Sequence, residues 1–406
     1  MNDRAYALFE EQQKNRGIDL GKVREKLKAL RIETPSWGYG DSGTRFKVFR
    51  KVGVPRNPFE KFDDAAVVHR LTGACPSVAI HIPWDKVDDY DKLKAHAEAL
   101  GLSIGAVNPN LFQEDDYMFG SVTNANAAVR RKATDHLLEC VDIMKATGSK
   151  YLSLWFADGT NYPGQADIRK RKNWMYEALA ETYKAMEPDM KMLIEYKFFE
   201  PAFYHTDLAD WGMAYNMALK LGEQAQVLVD TGHHAQGTNV EHIVAYLLDE
   251  QRLGGFHFNS RKYADDDLIV GAIHPYELFL IFYQILEASA DANPGVRRNA
   301  DEIAYMIDQS HNIEPKIPAM IRSVLNVQTQ YAKALLINLD EVHAAQEAQD
   351  VMAAEDAVRS AFEIDVTPLL VSIREELGLP ADPMKAYRES GYAERIASRG
   401  VGGASW

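Results

Sequence analysis

Cysteine is nearly absent: the chain of 406 residues carries two, Cys75 and Cys140. They stand far apart in core-like patterns, so a disulfide framework is not expected and a cytoplasmic location is. No apolar run approaches the roughly 18 residues of a membrane span, and Met1-Asn-Asp-Arg-Ala-Tyr6 lacks an apolar signal region. Neither a membrane nor an export route is therefore expected. Basic charge is scarce, with 45 Lys and Arg against 59 Asp and Glu and a net charge of −14. That balance disfavours a nonspecific nucleic-acid binder, which needs a cationic surface. It tolerates bound cations. No short-period repeat is visible. What remains, 46% apolar and 26% charged, reads as an ordinary soluble globular chain with a large core.

Against that background one stretch, 195–257, is unusual. Three apolar runs in or leading into it each stop at a residue able to bind metal: Met190-Lys-Met-Leu-Ile-Glu-Tyr-Lys197, Val227-Leu-Val-Asp-Thr-Gly-His233 and Gly254-Gly-Phe-His257. Short apolar runs bounded by polar residues read as buried parallel strands. In an α/β barrel the C-terminal strand ends form the active-site face. Glu195, Asp230 and His257 are thus expected at one mouth.

The rest of the chain supports that architecture. Residues 4–31 carry two amphipathic helical patterns split by Gly17, and Thr34-Pro-Ser-Trp-Gly-Tyr-Gly-Asp-Ser-Gly-Thr-Arg-Phe46 reads as a loop. From residue 77 strands alternate with helices. The expected strands are 77–82, 103–107, 151–155, 190–195, 227–230, 254–257, 268–272 and 303–308, with helices between and after them. Eight such units over about 250 residues match a (β/α)8 TIM barrel. The expected division is 1–75 for N-terminal helices and an aromatic loop, 76–339 for the catalytic barrel, and 340–406 for a helical extension that contacts a neighbouring subunit.

The polar residues at the strand ends form an ordered set. Glu195 and Lys197 are two apart and share a strand face. Asp230 and His233 are three apart across Thr-Gly. Asp265 and Asp267 alternate in the acidic loop after His257, and Asp308 ends the last strand. Seven potential ligands exceed one tetrahedral site and suffice for two octahedral ones completed by water. Mixed oxygen and imidazole donors suit Mn, Co or Zn, or Mg where oxygens dominate. Taken singly, each residue is ordinarily a cap, a loop hydrogen-bonder or a solvated acid; the common barrel face gives the set its meaning. His234, beside His233, is a weaker candidate, and His96 and His136 fall within helices. The loop aromatics Trp37 and Phe46 have two open readings, packing against the barrel or stacking on a sugar.

Taken together, Glu195-x-Lys197, Asp230-x-x-His233, His257 with Asp265-x-Asp267, and Asp308 resemble the metal signature of the xylose-isomerase-like barrel superfamily. Trp37-Gly-Tyr-Gly, Leu228-Val-Asp-Thr-Gly-His-His, Gly255-Phe-His-Phe-Asn and Tyr305-Met-Ile-Asp-Gln-Ser-His are similar to strings of the broad-specificity bacterial L-rhamnose isomerase family. Asn259-Ser-Arg-Lys-Tyr263 departs from the Asn-Asp-Ser-Arg-Tyr expected of that family. The resemblance spans nearly the whole chain. It implies two divalent ions, commonly Mn, and a homotetramer. It implies Glu195, Asp230, His257 and Asp308 at a structural ion, and His233, Asp265 and Asp267 at a catalytic ion, with Asp230 bridging. It further implies sugar contacts from Lys197, His81, Trp37, Phe46 and Trp155, with Phe112 reaching into a neighbour's site.

The implied chemistry is aldose–ketose isomerisation, best on L-rhamnose and L-rhamnulose, with side activity on L-mannose, L-lyxose or D-allose. A divalent ion would polarise the carbonyl and stabilise oxyanion charge. Asp265, His233 and Lys197 are the expected catalytic groups: water near Asp265 to move the hydroxyl proton, Lys197 to hydrogen-bond O1. Both a hydride shift and an enediol route stay open. The alternatives are a ketose 3-epimerase on the same barrel, a metal-dependent endonuclease, which the acidic charge disfavours, and a non-catalytic sugar-binding protein.

Overall fold

Period-two alternation divides each central strand between two cores. Along Ala225–Asp230, Val227 and Val229 join the large core between sheet and helices, whereas Leu228 joins a separate cluster with Trp37, Ala79, Ala106, Leu193, Ala304 and Met306. That second cluster fills the inside of a closed sheet. Both faces of the central strands are therefore largely apolar until the ligand-bearing end is reached. In the computed structural model, described over residues 2–41, 49–200 and 203–402, the barrel strands are β1 (Glu33–Pro35), β2 (Ser77–Ile82), β3 (Ser103–Pro109), β4 (Tyr151–Leu154), β5 (Lys191–Glu195), β6 (Ala225–Asp230), β7 (Leu253–Phe258) and β8 (Ala304–Ile307). Each pairs in parallel with its chain neighbours, and β1 pairs with β8 to close the ring.

One strand differs from expectation. Leu268-Ile-Val-Gly-Ala272 is not a barrel strand. Leu268 only bridges back to Ser260, with N–H···O distances of 2.9 and 3.0 Å, and the chain then turns at Gly271, whose φ is +66°. The missing strand is Glu33–Pro35, N-terminal to the expected start of the barrel at 76. Pro35 and the glycines after it disguise that strand as loop. Proline is tolerated here because only three residues pair and Pro35 is the last.

Glu33 enters the barrel interior, and its buried Oε1 accepts the Ala106 N–H at 2.9 Å. Burial raises its pKa, and the Ala106 hydrogen bond opposes that rise. Position 105 must be glycine for this contact: a Cβ there would lie 1.6 Å from Glu33 Oε2.

The connecting helices begin where short polar side chains cap them. Asp167 accepts from Arg169 and Lys170 N–H, and Asn57 accepts from Glu60 N–H ahead of Pro58. A helix at Pro294–Asp301, not foreseen between 292 and 303, precedes β8. Beyond Lys316–Ala334 the chain is helical to 399. Thr367–Glu376 packs Leu369, Leu370 and Ile373 on Phe9, Leu20, Val23 and Leu27 of the N-terminal helices. This face of the extension is covered by its own chain. Farther on, Asp64 accepts from Tyr392 OH at 2.7 Å and from Arg399 Nη1 at 3.0 Å. Val401 bridges to Val52, and the tail after 402 lies outside the described residues. Among the described residues, no helix is long and apolar enough to cross a membrane.

Candidate metal centre and sugar pocket

Strand register brings the ligand candidates together. Asp230 on β6 pairs across the ladder with His257 on β7, which pairs with Met306 on β8, two residues before Asp308. Glu195 closes β5 beside Leu228. The polar atoms that result form two converging groups. Glu195, Asp230, His257 and Asp308 make one, and Asp230, His233 and Asp265 make the other. His257 Nδ1 lies 3.1 Å from Glu195 Oε2 and 3.4 Å from Asp308 Oδ2. His233 Nε2 lies 3.5 Å from Asp265 Oδ2. Asp230 belongs to both groups through one oxygen: its Oδ2 is 3.9 Å from His233 Nε2 and 4.0 Å from His257 Nδ1.

The other Asp230 oxygen is fixed from behind. Oδ1 accepts from Asn259 Nδ2 at 2.9 Å and from Gly232 N–H at 2.6 Å. Gly232 is required there, because a Cβ would meet the Asn259 and Asp265 side chains at 2.8 Å. His233 donates from Nδ1 to the Tyr196 carbonyl at 3.0 Å, which turns Nε2 toward the aspartates. Trp37 Nε1 donates to Asp308 Oδ1 at 2.8 Å.

These groups fit a cation. Asp230 Oδ2, Asp265 Oδ1 and His257 Nδ1 are buried without a hydrogen-bond partner, an arrangement that costs free energy unless something else satisfies them. Electrostatics point the same way. Burial raises the Asp230 carboxyl to about 7, with Glu195 and Asp265 adding to the rise. Burial also opposes ionisation of Glu195, but His257 and His233 outweigh it and hold the carboxyl at about 2. His257 moves up to about 9: burial disfavours its cation, and Glu195 and Asp308 more than compensate. Asp267 is pushed well above the carboxylate range by burial and by Asp265. Five carboxyl groups (Glu195, Asp230, Asp265, Asp267 and Asp308) thus crowd the Lys197 ammonium and two imidazoles, and they are accommodated only because His233 and His257 are drawn toward protonation while Asp230 and Asp267 resist ionisation. Divalent ions supply the missing positive charge.

Asp267 is the candidate that stands apart. It lines the pocket in a left-handed conformation, with φ +48°, but belongs to neither converging group. His234 turns away, its Nε2 accepting from Tyr196 OH at 2.5 Å.

The ligand groups form one wall of a cavity of about 270 Å³. The opposite wall is aromatic. His81 stacks on Trp84 at 3.7 Å, and Phe112 meets Trp155 at 4.8 Å. Trp37 packs edge-on to His81 at 5.6 Å. Burial holds the His81 pKa well below its ordinary value, with Lys61 and His136 adding to the effect, so the ring is neutral. Lys197 Nζ sits 2.9 Å from Asp265 Oδ2, 2.7 Å from Glu200 Oε2 and 5.0 Å from the Trp155 ring centroid. Burial disfavours its charge, but Asp265 and Glu200 outweigh burial and keep the ammonium protonated.

Trp37, His81, Phe112, Trp155 and Lys197 therefore share one pocket. Phe112 lines the pocket of its own chain. Phe46 lies outside the described residues. Trp84 and Glu200 went unforeseen. The signals were present in Ile82-Pro-Trp84, just past the end of β2, and in a glutamate three residues after Lys197.

A family model described as xylose isomerase-like TIM barrel matches residues 71–277. The chain belongs to this family. It is 43% identical over 400 residues to a protein named probable sugar isomerase from Rhizobium meliloti, covering 97% of this chain and 92% of that one. It is 41% identical to another protein so named, from Mesorhizobium japonicum, over 98% and 92% of the two chains. Among solved structures, an L-ribulose 3-epimerase aligns with TM-score 0.53 and 15% identity, covering 76% of this chain and 98% of that one. At that identity the likeness is one of fold. The family supplies the barrel, and the site's own geometry carries the argument about chemistry.

Proposed function

We propose that this xylose isomerase-like enzyme is a metal-dependent aldose–ketose isomerase acting on L-rhamnose and L-rhamnulose. That it is an enzyme of isomerase type follows from its family and from relatives named as sugar isomerases. The observation that carries the finer reading is the single Asp230 oxygen set between two imidazoles, beside a protonated lysine and an aromatic wall.

In this reading Glu195, Asp230, His257 and Asp308 hold one divalent ion. Asp230, His233 and Asp265, joined by Asp267, hold a second, most readily Mn, with Co, Mg or Zn as substitutes. Such ions polarise a carbonyl and stabilise developing oxyanion charge. The chain's own residues do the rest. The Lys197 ammonium is held at the pocket wall where it donates a hydrogen bond to O1 of an open-chain sugar. Asp265, with one buried oxygen free of hydrogen bonds, orients a water that moves the hydroxyl proton. Trp37, Trp84, Phe112 and Trp155 exclude water and cover the far end of the chain. A C6 methyl placed there removes apolar area from water, a gain of about 0.8 kcal/mol per methylene-sized group. Such a wall rejects an added hydroxyl by roughly a hundredfold at most, so side activity on L-mannose, L-lyxose and D-allose accompanies the main one. We place the enzyme in the cytoplasm as a homotetramer.

The test is a sugar panel with purified protein, before and after chelation with EDTA and after Mn2+ is restored. Isomerisation of L-rhamnose with the highest kcat/KM, lost on chelation and recovered with Mn2+, is the expected result. Rapid turnover of D-allose beside negligible turnover of L-rhamnose overturns the substrate. Epimerisation at C3 without aldose–ketose exchange overturns the reaction.

A further inference from the structure

Lys197 presents a charge problem. Its ammonium is buried within 2.9 Å of Asp265 Oδ2, and the same oxygen faces His233 Nε2 at 3.5 Å in the second ligand group. One carboxylate oxygen thus serves a lysine and also the place where a divalent ion would sit. An ion held by Asp265 draws on that oxygen's charge and repels the lysine at short range, in a site where water screens little. A buried ammonium deprived of its counter-charge is strongly unfavourable. The lysine cannot leave easily, because the Trp155 ring stands 5.0 Å from Nζ and the side chain is almost fully buried.

Glu200 answers this problem. Its Oε2 lies 2.7 Å from Lys197 Nζ, outside both groups of converging ligand atoms. That oxygen is buried, and the Lys197 ammonium is the cation it faces. The pairing is local: Glu200 follows Lys197 by three residues, just past the end of β5.

We propose that Glu200 is a positioning residue that takes over as counter-ion to Lys197 when Asp265 turns to the catalytic ion. By doing so it holds the ammonium at the pocket wall and frees Asp265 for metal. The inference rests on the metal-isomerase reading above and adds the residue that lets a lysine and a divalent ion coexist there.

The test is Mn2+ binding, measured by calorimetry and by the electron paramagnetic resonance of free Mn2+, on four full-length proteins: parent, Glu200→Gln, Lys197→Met and the double variant. Glu200→Gln is expected to weaken one of two Mn2+ sites by about tenfold and leave the other unchanged. Lys197→Met is expected to bind Mn2+ at that site more tightly than the parent, since competitor and repulsion both go. In the Lys197→Met background, adding Glu200→Gln is expected to change affinity less than threefold. Glu200→Asp should recover part of the loss, which a purely structural role would not predict.

Unchanged Mn2+ affinity in Glu200→Gln overturns the inference while the metal reading stands. An equal loss in both lysine backgrounds also overturns it, because Glu200 would then act on the ion independently of the lysine. A parent protein that binds no Mn2+, Co2+, Mg2+ or Zn2+ overturns the metal reading itself, and the inference with it.

Discussion

Trp37 serves two parts of the site at once, and replacing it with phenylalanine separates them. The ring packs against His81, while Nε1 donates to Asp308 Oδ1 at 2.8 Å. Trp37→Phe keeps an aromatic face toward the pocket and removes only the donor. A hydrogen bond to a charged acceptor contributes roughly 1.5–3 kcal/mol. Asp308 is about a quarter exposed on its side chain, so water replaces part of that bond and the lower end of the range applies. At 1.4 kcal/mol per factor of ten, the first ion should bind about tenfold more weakly, within the span usual for outer partners of metal ligands. Equilibrium dialysis against Mn2+ reads the effect directly, with two ions still bound at saturation. KM for sugar should move less than Mn2+ affinity does. Parent-like Mn2+ affinity in a folded Trp37→Phe protein would refute the claim that this bond orients Asp308.

Other expectations follow from the same geometry. Asp230→Asn should weaken both ions, because Oδ2 faces both imidazoles, whereas His233→Ala should lose mainly the second ion and turnover; anomalous diffraction on Mn-loaded crystals reports the occupancies. Gly105→Ala should cost about 3 kcal/mol in urea unfolding, at the upper end for overpacking, because its Cβ meets Glu33 Oε2 at 1.6 Å; additive costs in the Glu33→Ala, Gly105→Ala double variant would show that the two do not collide. His81 is neutral in the fold, its pKa well below the ordinary value through burial. The unfolded chain alone therefore takes up this proton as pH falls below about 6.5, and that uptake lowers stability by up to about 1.4 kcal/mol per pH unit. His81→Phe should lose about 2 kcal/mol less than the parent between pH 7 and 5. Parallel acid limbs in the two proteins would contradict the buried neutral ring.

Much of the site was legible because it is built from local patterns. A strand announces itself by a short apolar run, and a ligand at its end by one polar residue breaking that run. Glu195, Asp230, His257 and Asp308 could all be read this way, and barrel topology then sends every strand end to one face. The same locality explains the errors. Leu268–Ala272 carries the composition of a strand but sits on a turn. Glu33–Pro35 carries the composition of a loop but is held in place by Ser77–Ala79 on one side and Met306 on the other. Strand identity there is decided by partners more than 40 residues away, which no local window contains.

The sequence by itself determined the alternating architecture, the set of metal-binding residue types and the aromatic, acidic character of the mouth, because periodicity and residue chemistry need only neighbours. The tertiary structure alone decided that β1 closes the barrel and that one oxygen of Asp230 lies between two histidines. It also decided that Trp37 donates to Asp308, that Trp84 joins the wall, and that Glu200 shares Lys197 with Asp265. The physical reason is that these are relations of register and tilt between distant strands. A shift of a few ångströms would undo them without altering any local pattern.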